Sequence, residues 1–348
     1  MSYTISIEGS AESAPAEPGD TVLDAMLMAG IGFAYSCQAG NCGTCKCALV
    51  DGEILELEYS EHALSPAERA RGIVLACRSQ VWSDVTVRKL DAEEFVVHPS
   101  RVMQCRVAAL DRLTHDVWCL RLEILAGGPF TFSAGQYAAL EFPFAPGHPR
   151  DYSMASRPDD PVLEFHIREV ASSVVSAGLG ARLSVGDTVR VTGPFGTSYL
   201  RERHTGPVIA VAGGTGLAPV CSILATLRSR GGGNDVHLYF GARAERDVYA
   251  EMEMRSWVDG FPGSAMHVVL SEPDPRGPPA ADTARRSGLV SDAIDADWTD
   301  LAGFVAYVAG PPAMVEAAIA VLQRKGLARH DIHADAFFPA RDSGRAAA

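Results

Sequence analysis

Three cysteines fall within nine positions, as Cys37-x4-Cys42-x2-Cys45, and Cys77 follows 32 residues after the last of them. This is the plant-type [2Fe–2S] spacing, in which one tight loop and one distant residue bring four thiolates onto two irons. A chain with such a site must fold a small domain that returns Cys77 to the loop. Gly40 and Gly43 let the loop turn tightly, so that its amides can face the sulfides and tune the potential. Zinc is the competing metal, because Cys42-x-x-Cys45 alone would suit it. The x4/x2 pattern set among Ser, Gly and Thr favours iron–sulfur. The chain has eight cysteines, five of them before residue 78, which in a cytosolic protein indicates metal or redox chemistry ahead of disulfides. Cys47 is expected on the far side of a strand, and Cys105, Cys119 and Cys221 as buried thiols in apolar patterns.

At 348 residues the chain is too long for a single core, and two to three domains are expected. Around the cysteine loop, residues 1–95 read as a small α+β domain. Tyr3, Ile5 and Ile7 alternate as one strand of a hairpin, and a Pro18-Gly19-Asp20 turn region follows. The spacing predicts a helix over 21–30, capped by Asp20 or Thr21 and stopped at Gly30. A strand over 47–50, a capped helical turn with Pro66 at its first position, and a strand over 80–88 complete the unit. Residues 89–100 are charged, contain His98-Pro99, and read as a linker with a mobile junction. Residues 99–204 hold short strands separated by turns (MQCRVAAL, VWCLRLEI, GQYAALEF, LEFHIRE, DTVRVTG), which predicts an antiparallel β-barrel or sandwich. From 205 to 340 apolar strands alternate with helices (PVIAVAGG, APVCSILATLRSR, DVHLYFGA, MHVVLS, FVAYVAG). That is the texture of an α/β doubly wound parallel sheet.

Two further motifs carry chemistry. Arg150-Asp-Tyr152-Ser153 offers a planar fork for a phosphate, an aromatic face for a flavin ring, and a hydroxyl for its polar edge. His166 and Arg168 add a second cation beside a loop. Downstream, the strand Val208–Ala212 runs into Gly213-Gly214-Thr215-Gly216-Leu-Ala-Pro219 and an apolar helix. Glycines there let the backbone approach a pyrophosphate, and the helix start supplies free amides. Pro219 takes the last place of a G-x-G-x-x-G pattern, so strand–loop–helix context carries the reading. Arg243 and Asp247 fall where an adenosine ribose would lie. The acidic residue suits NADH, whereas Arg243 with Arg246 keeps NADPH open. Gly310-Pro311-Pro312 ends the last long strand, where a nicotinamide should sit.

The net charge is −13, which argues against nucleic acid as a partner, since phosphate binding needs clustered Lys and Arg. Residues 1–98 hold 15 Asp and Glu against 6 Lys and Arg, and an acidic face of this kind steers basic protein surfaces as well as keeping a chain soluble. No apolar run approaches the roughly 20 residues of a membrane helix, and the opening residues lack a basic start and long apolar core. No membrane partner and a cytoplasmic address are expected.

Taken together, YSCQAGNCGTC, RDYSMAS, EFHIRE, GGTGLAPV, YFGAR, GPPAMVEA and HADAFFP, in this order, resemble the ferredoxin–NAD(P)H reductase components of bacterial multicomponent aromatic-ring oxygenases. The likeness is to the naphthalene dioxygenase type, over about Tyr3 to Pro339. It implies a β-grasp-like ferredoxin domain, a barrel binding FAD and a sheet binding NADH. It implies cluster ligands Cys37, Cys42, Cys45 and Cys77, and flavin residues Arg150, Tyr152, Ser153, His166 and Arg168. It also implies nucleotide loops at Gly214–Pro219 and Gly310–Pro312, and Phe337 as the aromatic shielding the flavin. Such a protein takes hydride from NADH and passes single electrons to an oxygenase component or a Rieske ferredoxin. Reductases of cytochrome P450 and diiron monooxygenase systems share the domain order, and a non-enzymatic iron–sulfur sensor is the outside alternative. Two departures stand out. Family members usually have Pro-Gly-Gly where this chain has Ala171-Ser-Ser-Val-Val-Ser176, so that Ser172 and Ser173 hydroxyls would replace amides at the FAD diphosphate. Many also have Cys where this chain has Ala309.

Overall fold

The computed structural model describes residues 2–33, 35, 38, 40, 43, 45–59, 63, 64, 66–90, 96, 98–273 and 285–338. The chain divides into two compact units, Met1–Val97 and His98–Ala348. The expected boundary at 204/205 falls inside the second.

In the first unit, Tyr3–Ile7 pairs antiparallel with Ser13–Ala16 and parallel with Val85–Lys89, within a five-stranded sheet. The expected hairpin is present, its turn at Glu8–Glu12. Alternation places Ile5 and Ile7 inward with Val85, Val87 and Val74. The helix Val22–Met28 covers that face with Val22, Leu23, Ala25 and Met26, and Thr21 caps it, its Oγ1 accepting from Asp24 N at 3.1 Å. Replacing such a cap with Ala costs about 1 kcal/mol. The expected strand over 80–88 is two strands. Ser79–Val81 pairs with Ile54–Glu56, and Val85–Lys89 pairs with the large sheet. The break comes at Trp82–Asp84, where Asp84 Oδ1 accepts from Thr4 N at 2.8 Å and Ser83 Oγ from Glu53 N at 2.7 Å. Ser65, the residue before the Pro66 turn, and half of the 89–100 linker lie outside the described residues.

The second unit begins with six antiparallel strands in the order 150–153, 137–141, 188–195, 101–112, 117–126, 163–168. A bridge between Met154 and Phe165 brings the two edges together, so the sheet is a nearly closed barrel. Arg150–Ser153 is itself an edge strand, which its short, charged sequence did not advertise. Six parallel strands follow, in the order 285–287, 265–270, 236–242, 208–213, 305–310, 332–336. Val208–Gly213 and Val305–Gly310 are buried at every position, as central strands covered on both faces should be. Strand order reverses between these two, so their carboxyl ends form the switch-point crevice where open α/β sheets bind ligands.

The helix Leu217–Ser229 is apolar nearly all round because it has two partners. Val117, Ala134, Ala155 and Leu200 of the barrel lie in one apolar cluster with this helix and the parallel sheet. Ser222 Oγ on the helix donates to Ser156 O of the barrel at 2.7 Å. That shared core makes barrel and parallel sheet a single unit.

Candidate functional site

Of the four predicted cluster ligands, Cys45 and Cys77 are described; Cys37 and Cys42 lie outside the described residues. Cys45 precedes the strand Lys46–Asp51, and Cys77 sits in a helical turn after Ile73–Leu75. Ala76 N donates to Cys45 O at 2.9 Å. Their Sγ atoms are 3.2 Å apart, beyond the about 2.0 Å of a disulfide, so the fold brings the two thiols together. Gly43 has φ +72°, and a Cβ there would come 2.6 Å from Ala63 O, so only glycine fits. The donor set and the cramped loop fit a [2Fe–2S] cluster. Cys47 points into the core, and burial pushes its thiol up to about 12. Burial does the same to Cys105 and Cys119 and drives Cys221 well above the usual range, as inert core thiols require.

The residues expected to face a flavin come from both barrel edges. Tyr152 packs edge-on to Phe142, with ring centroids 6.3 Å apart, and burial raises its phenol to about 12. Ser153 is buried and its Oγ donates to Asp335 Oδ2 at 3.3 Å. The Arg150 guanidinium reaches Pro149 O at 3.0 Å and stays partly exposed. On the other edge, Glu164, His166 and Arg168 alternate along one strand and so share a face. Arg121 Nε donates to Glu164 Oε2 at 2.7 Å, and Glu164 Oε1 lies 3.2 Å from His166 Nε2. Burial alone would raise the Glu164 carboxyl, but the His166 and Arg121 bonds and charges outweigh it and hold it at about 2.

Arg168 faces the Gly214–Gly216 loop. Its Nε lies 3.2 Å from Asp116 Oδ2, and a Cβ on Gly214 would come 3.0 Å from its Nη2. Its two terminal nitrogens donate to no acceptor among the described residues. An arginine ion-paired with Asp116, its buried Nε without a hydrogen-bond partner and its outer fork open beside glycine backbone at a helix start, is suited to a diphosphate.

The loop Gly214–Gly216 leads directly into the helix Leu217–Ser229, with Pro219 in its first turn and Thr215 partly exposed. Gly216 presses on the opposite strand end: a Cβ there would be 2.1 Å from Ala309 O. Gly310 has φ +143° and would carry a Cβ 2.8 Å from Gly213 O. Pro311 caps the helix Pro312–Arg324, and Phe337 N donates to Gly310 O at 2.8 Å, which brings Phe337 to the Gly310–Pro311 turn. Predicted nucleotide and aromatic residues therefore meet at the switch point.

Two expectations change. Asp247 turns inward rather than towards a ribose, because its Oδ2 accepts from Ala244 N at 2.9 Å and its Oδ1 lies 3.7 Å from His115 Nδ1. Arg243 and Arg246 are exposed and pair with no carboxylate among the described residues. In the Ala171–Ser176 segment, Ser173 Oγ accepts from Val175 N and Ser176 N, and Ser176 Oγ accepts from Val170 N. The Ser173 and Ser176 hydroxyls thus brace their own turn. Sequence reasoning missed Asp116 and Glu164; the Glu-x-His-x-Arg alternation was the available signal for Glu164.

Comparison with known proteins agrees with this geometry. The chain matches the 2Fe-2S iron-sulfur cluster binding domain over residues 5–81, the oxidoreductase FAD-binding domain over 104–199 and the oxidoreductase NAD-binding domain over 210–319. It is 42% identical over 324 residues, 93% of this chain and 95% of the relative, to the ferredoxin–NAD(P)+ reductase component of naphthalene 1,2-dioxygenase/salicylate 5-hydroxylase systems from a Ralstonia species. The chain belongs to the reductase components of oxygenase systems. Among these reductases, the corresponding component from Pseudomonas putida is 38% identical over 327 residues, 93% of this chain and 95% of the relative. Among solved structures, an Amycolatopsis cytochrome P450 reductase superposes with TM-score 0.77 at 35% identity, covering 97% of this chain and 99% of that one. The ferredoxin reductase in carbazole 1,9a-dioxygenase gives TM-score 0.68 at 29% identity, with the same coverages of 97% and 99%. The three domains bind a [2Fe–2S] cluster, FAD and a nicotinamide nucleotide.

Proposed function

We propose that this reductase draws on NADH and delivers single electrons to a Rieske-type aromatic-ring dioxygenase or to the ferredoxin that serves it. The observation that carries the electron-transfer chemistry is the meeting of Arg168 with the Gly214 loop. It brings a flavin-side strand and a nucleotide loop to one point in a shared core. A bound flavin supplies the step from hydride to single electrons, and the cluster hands them on one at a time. The chain's own residues bind and orient. We assign Cys37, Cys42, Cys45 and Cys77 to the cluster, and Arg150, Tyr152, Ser153, His166, Arg168 and Phe337 to the flavin. Gly214, Thr215, Gly216, Pro219, Gly310 and Pro311 are assigned to the nucleotide, with Arg243 at its ribose end and Asp247 bracing that turn. Functional modules then run over 1–95, 99–204 and 205–340.

The dioxygenase assignment follows the two naphthalene dioxygenase reductases. The likeness to an Amycolatopsis P450 reductase supports a second reading, the same chemistry serving a P450. A cytoplasmic address suits a chain that draws on NADH and has no disulfide among the described residues. Among those residues, no helix is long and apolar enough to cross a membrane.

The test is an anaerobic absorbance titration of the purified holoprotein with NADH, repeated with NADPH. Flavin bleaching followed by loss of the broad iron–sulfur absorbance is the expected result. An unchanged spectrum with either nucleotide would refute the reductase reading. Reconstitution with a Rieske dioxygenase and with a P450 then separates the two partner classes.

A further inference from the structure

Tyr249 sits in the nucleotide half of the second unit, just before the helix Glu251–Val258, and only 5% of its surface is exposed. Its ring stands edge-on to His166 of the barrel, centroids 5.3 Å apart, and edge-on to Phe240 at 5.9 Å. Its hydroxyl lies 3.3 Å from two groups at once, His166 Nδ1 and the carbonyl of Gly214. The other side of His166 faces Glu164 Oε1 at 3.2 Å. A phenol has one hydrogen to give, and the two neighbours compete for it.

The hydrogen-bond inventory decides the outcome. Glu164 is a carboxylate and only accepts, so His166 Nε2 is the donor towards it. When the ring carries a single proton, Nδ1 is an acceptor and takes the Tyr249 hydrogen. When the ring carries two, Nδ1–H donates to the phenol oxygen, and the hydroxyl hydrogen turns to Gly214 O. That carbonyl already accepts from Leu217 N in the first turn of the helix. The Tyr249 bond uses its second lone pair and ties the loop to the buried ring.

We propose that Tyr249 is a positioning residue that transmits the proton state of His166 to the Gly214 carbonyl, so that nucleotide affinity follows one proton. The proposal deepens the reading of Gly214–Pro219 as the nucleotide loop and rests on it. Charged and titratable groups facing His166 are Glu164 and Arg168 on its own strand, and Cys119 and Arg121 on the neighbouring strand. From the nucleotide half comes Tyr249, and Cys221 stands near Glu164 and Cys119. Glu164 is held at about 2 and Cys119 at about 12. Cys221 and Tyr249 lie well above their ordinary ranges through burial, so none of these four changes charge between about pH 5 and 8. Beyond Arg168, Asp116 lies 3.9 Å from the exposed His115, a second imidazole whose influence must be separated.

The experiment measures binding of NAD+, which cannot reduce the flavin, to the full-length holoprotein from about pH 5.5 to 8.5 by perturbation of flavin absorbance. Wild type should bind more weakly as pH rises, by about twofold to tenfold, the worth of one carbonyl hydrogen bond. Tyr249→Phe keeps the ring packing and removes the hydroxyl, so its affinity should be flat with pH and match the weak, high-pH limb. His166→Gln should be equally flat. FAD content and circular dichroism check that each variant is folded, and if His166→Gln does not fold, Tyr249→Phe alone decides. A pH dependence that survives in Tyr249→Phe, whether from His115 or elsewhere, overturns the proposal, as does a pH-independent wild type. Wild type that binds no NAD+ and takes no electrons from NADH refutes the nucleotide-loop reading itself.

Discussion

Substituting Gly216 by Ala should separate binding geometry from folding. The residue has φ −60°, a conformation alanine adopts freely, so backbone strain is not at issue. Space is: the new Cβ would lie 2.1 Å from Ala309 O, 2.4 Å from Ala309 C and 2.7 Å from Gly310 Cα, where ordinary contacts begin at 3.4 Å. All three are backbone atoms of the opposite strand end, so no side chain can swing aside. The two loops must part by about 1 Å, an overpacking cost of about 1–3 kcal/mol. That is a fraction of the about 5–15 kcal/mol that holds a domain together, so the variant should fold. Displacement of a reacting group by about 1 Å costs on the order of 100-fold in rate, and both loops assigned to the nucleotide move. Anaerobic stopped-flow measurement of flavin bleaching by NADH reads this rate. Dithionite, which needs no nucleotide site, should reduce variant and wild type alike. Gly233→Ala is the matched control, because nothing lies within 4 Å of its Cβ. A Gly216→Ala rate within about threefold of wild type would refute the argument that these strand ends position the nucleotide.

Cys45→Ser and Cys77→Ser should lose the cluster's electron paramagnetic resonance signal and one-electron delivery to cytochrome c. Both should retain flavin bleaching by NADH, since these cysteines belong to a separate compact unit. Glu164, depressed from 4.5 to about 2, contributes stability that is fully present above about pH 4.5 and is lost as pH falls through 2. Its size is up to about 3 kcal/mol, so chemical denaturation of Glu164→Gln at successive pH values should show a shallower loss of stability in that window. Ser173→Ala should cost about 1 kcal/mol through loss of a turn cap and loosen FAD, measured as flavin released on gel filtration. Ser172→Ala should do neither; equal flavin loss in both would mean that the hydroxyls contact the cofactor directly.

Much of the site was legible because its signals are local. The Cys37–Cys45 spacing, the glycines after an all-apolar strand and the helix start at Asp20 or Thr21 are each readable within a dozen residues. The strands were mostly legible from their alternation, with one exception in the barrel and one in the first unit that share a cause. Arg150–Ser153 is a short edge strand recognised only through its pairing with Tyr137–Glu141. The 79–89 run looks continuous until Asp84 and Ser83 are seen binding the backbone of other segments. Both depend on partners far away in sequence.

The same limit explains Asp247. An acid after the second strand of a nucleotide-binding sheet is read from sequence as a ribose ligand, but a carboxylate two residues before the buried Tyr249 has a nearer claim. Ala244 N needs an acceptor to close the turn that carries Tyr249 into the barrel. That brace closes the turn from which the phenol meets His166, the second contact beside Arg168 between the 163–168 strand and the Gly214 loop. Sequence shows that Asp247 and Tyr249 are neighbours. Only the fold shows that one secures the turn from which the other reaches across the shared core.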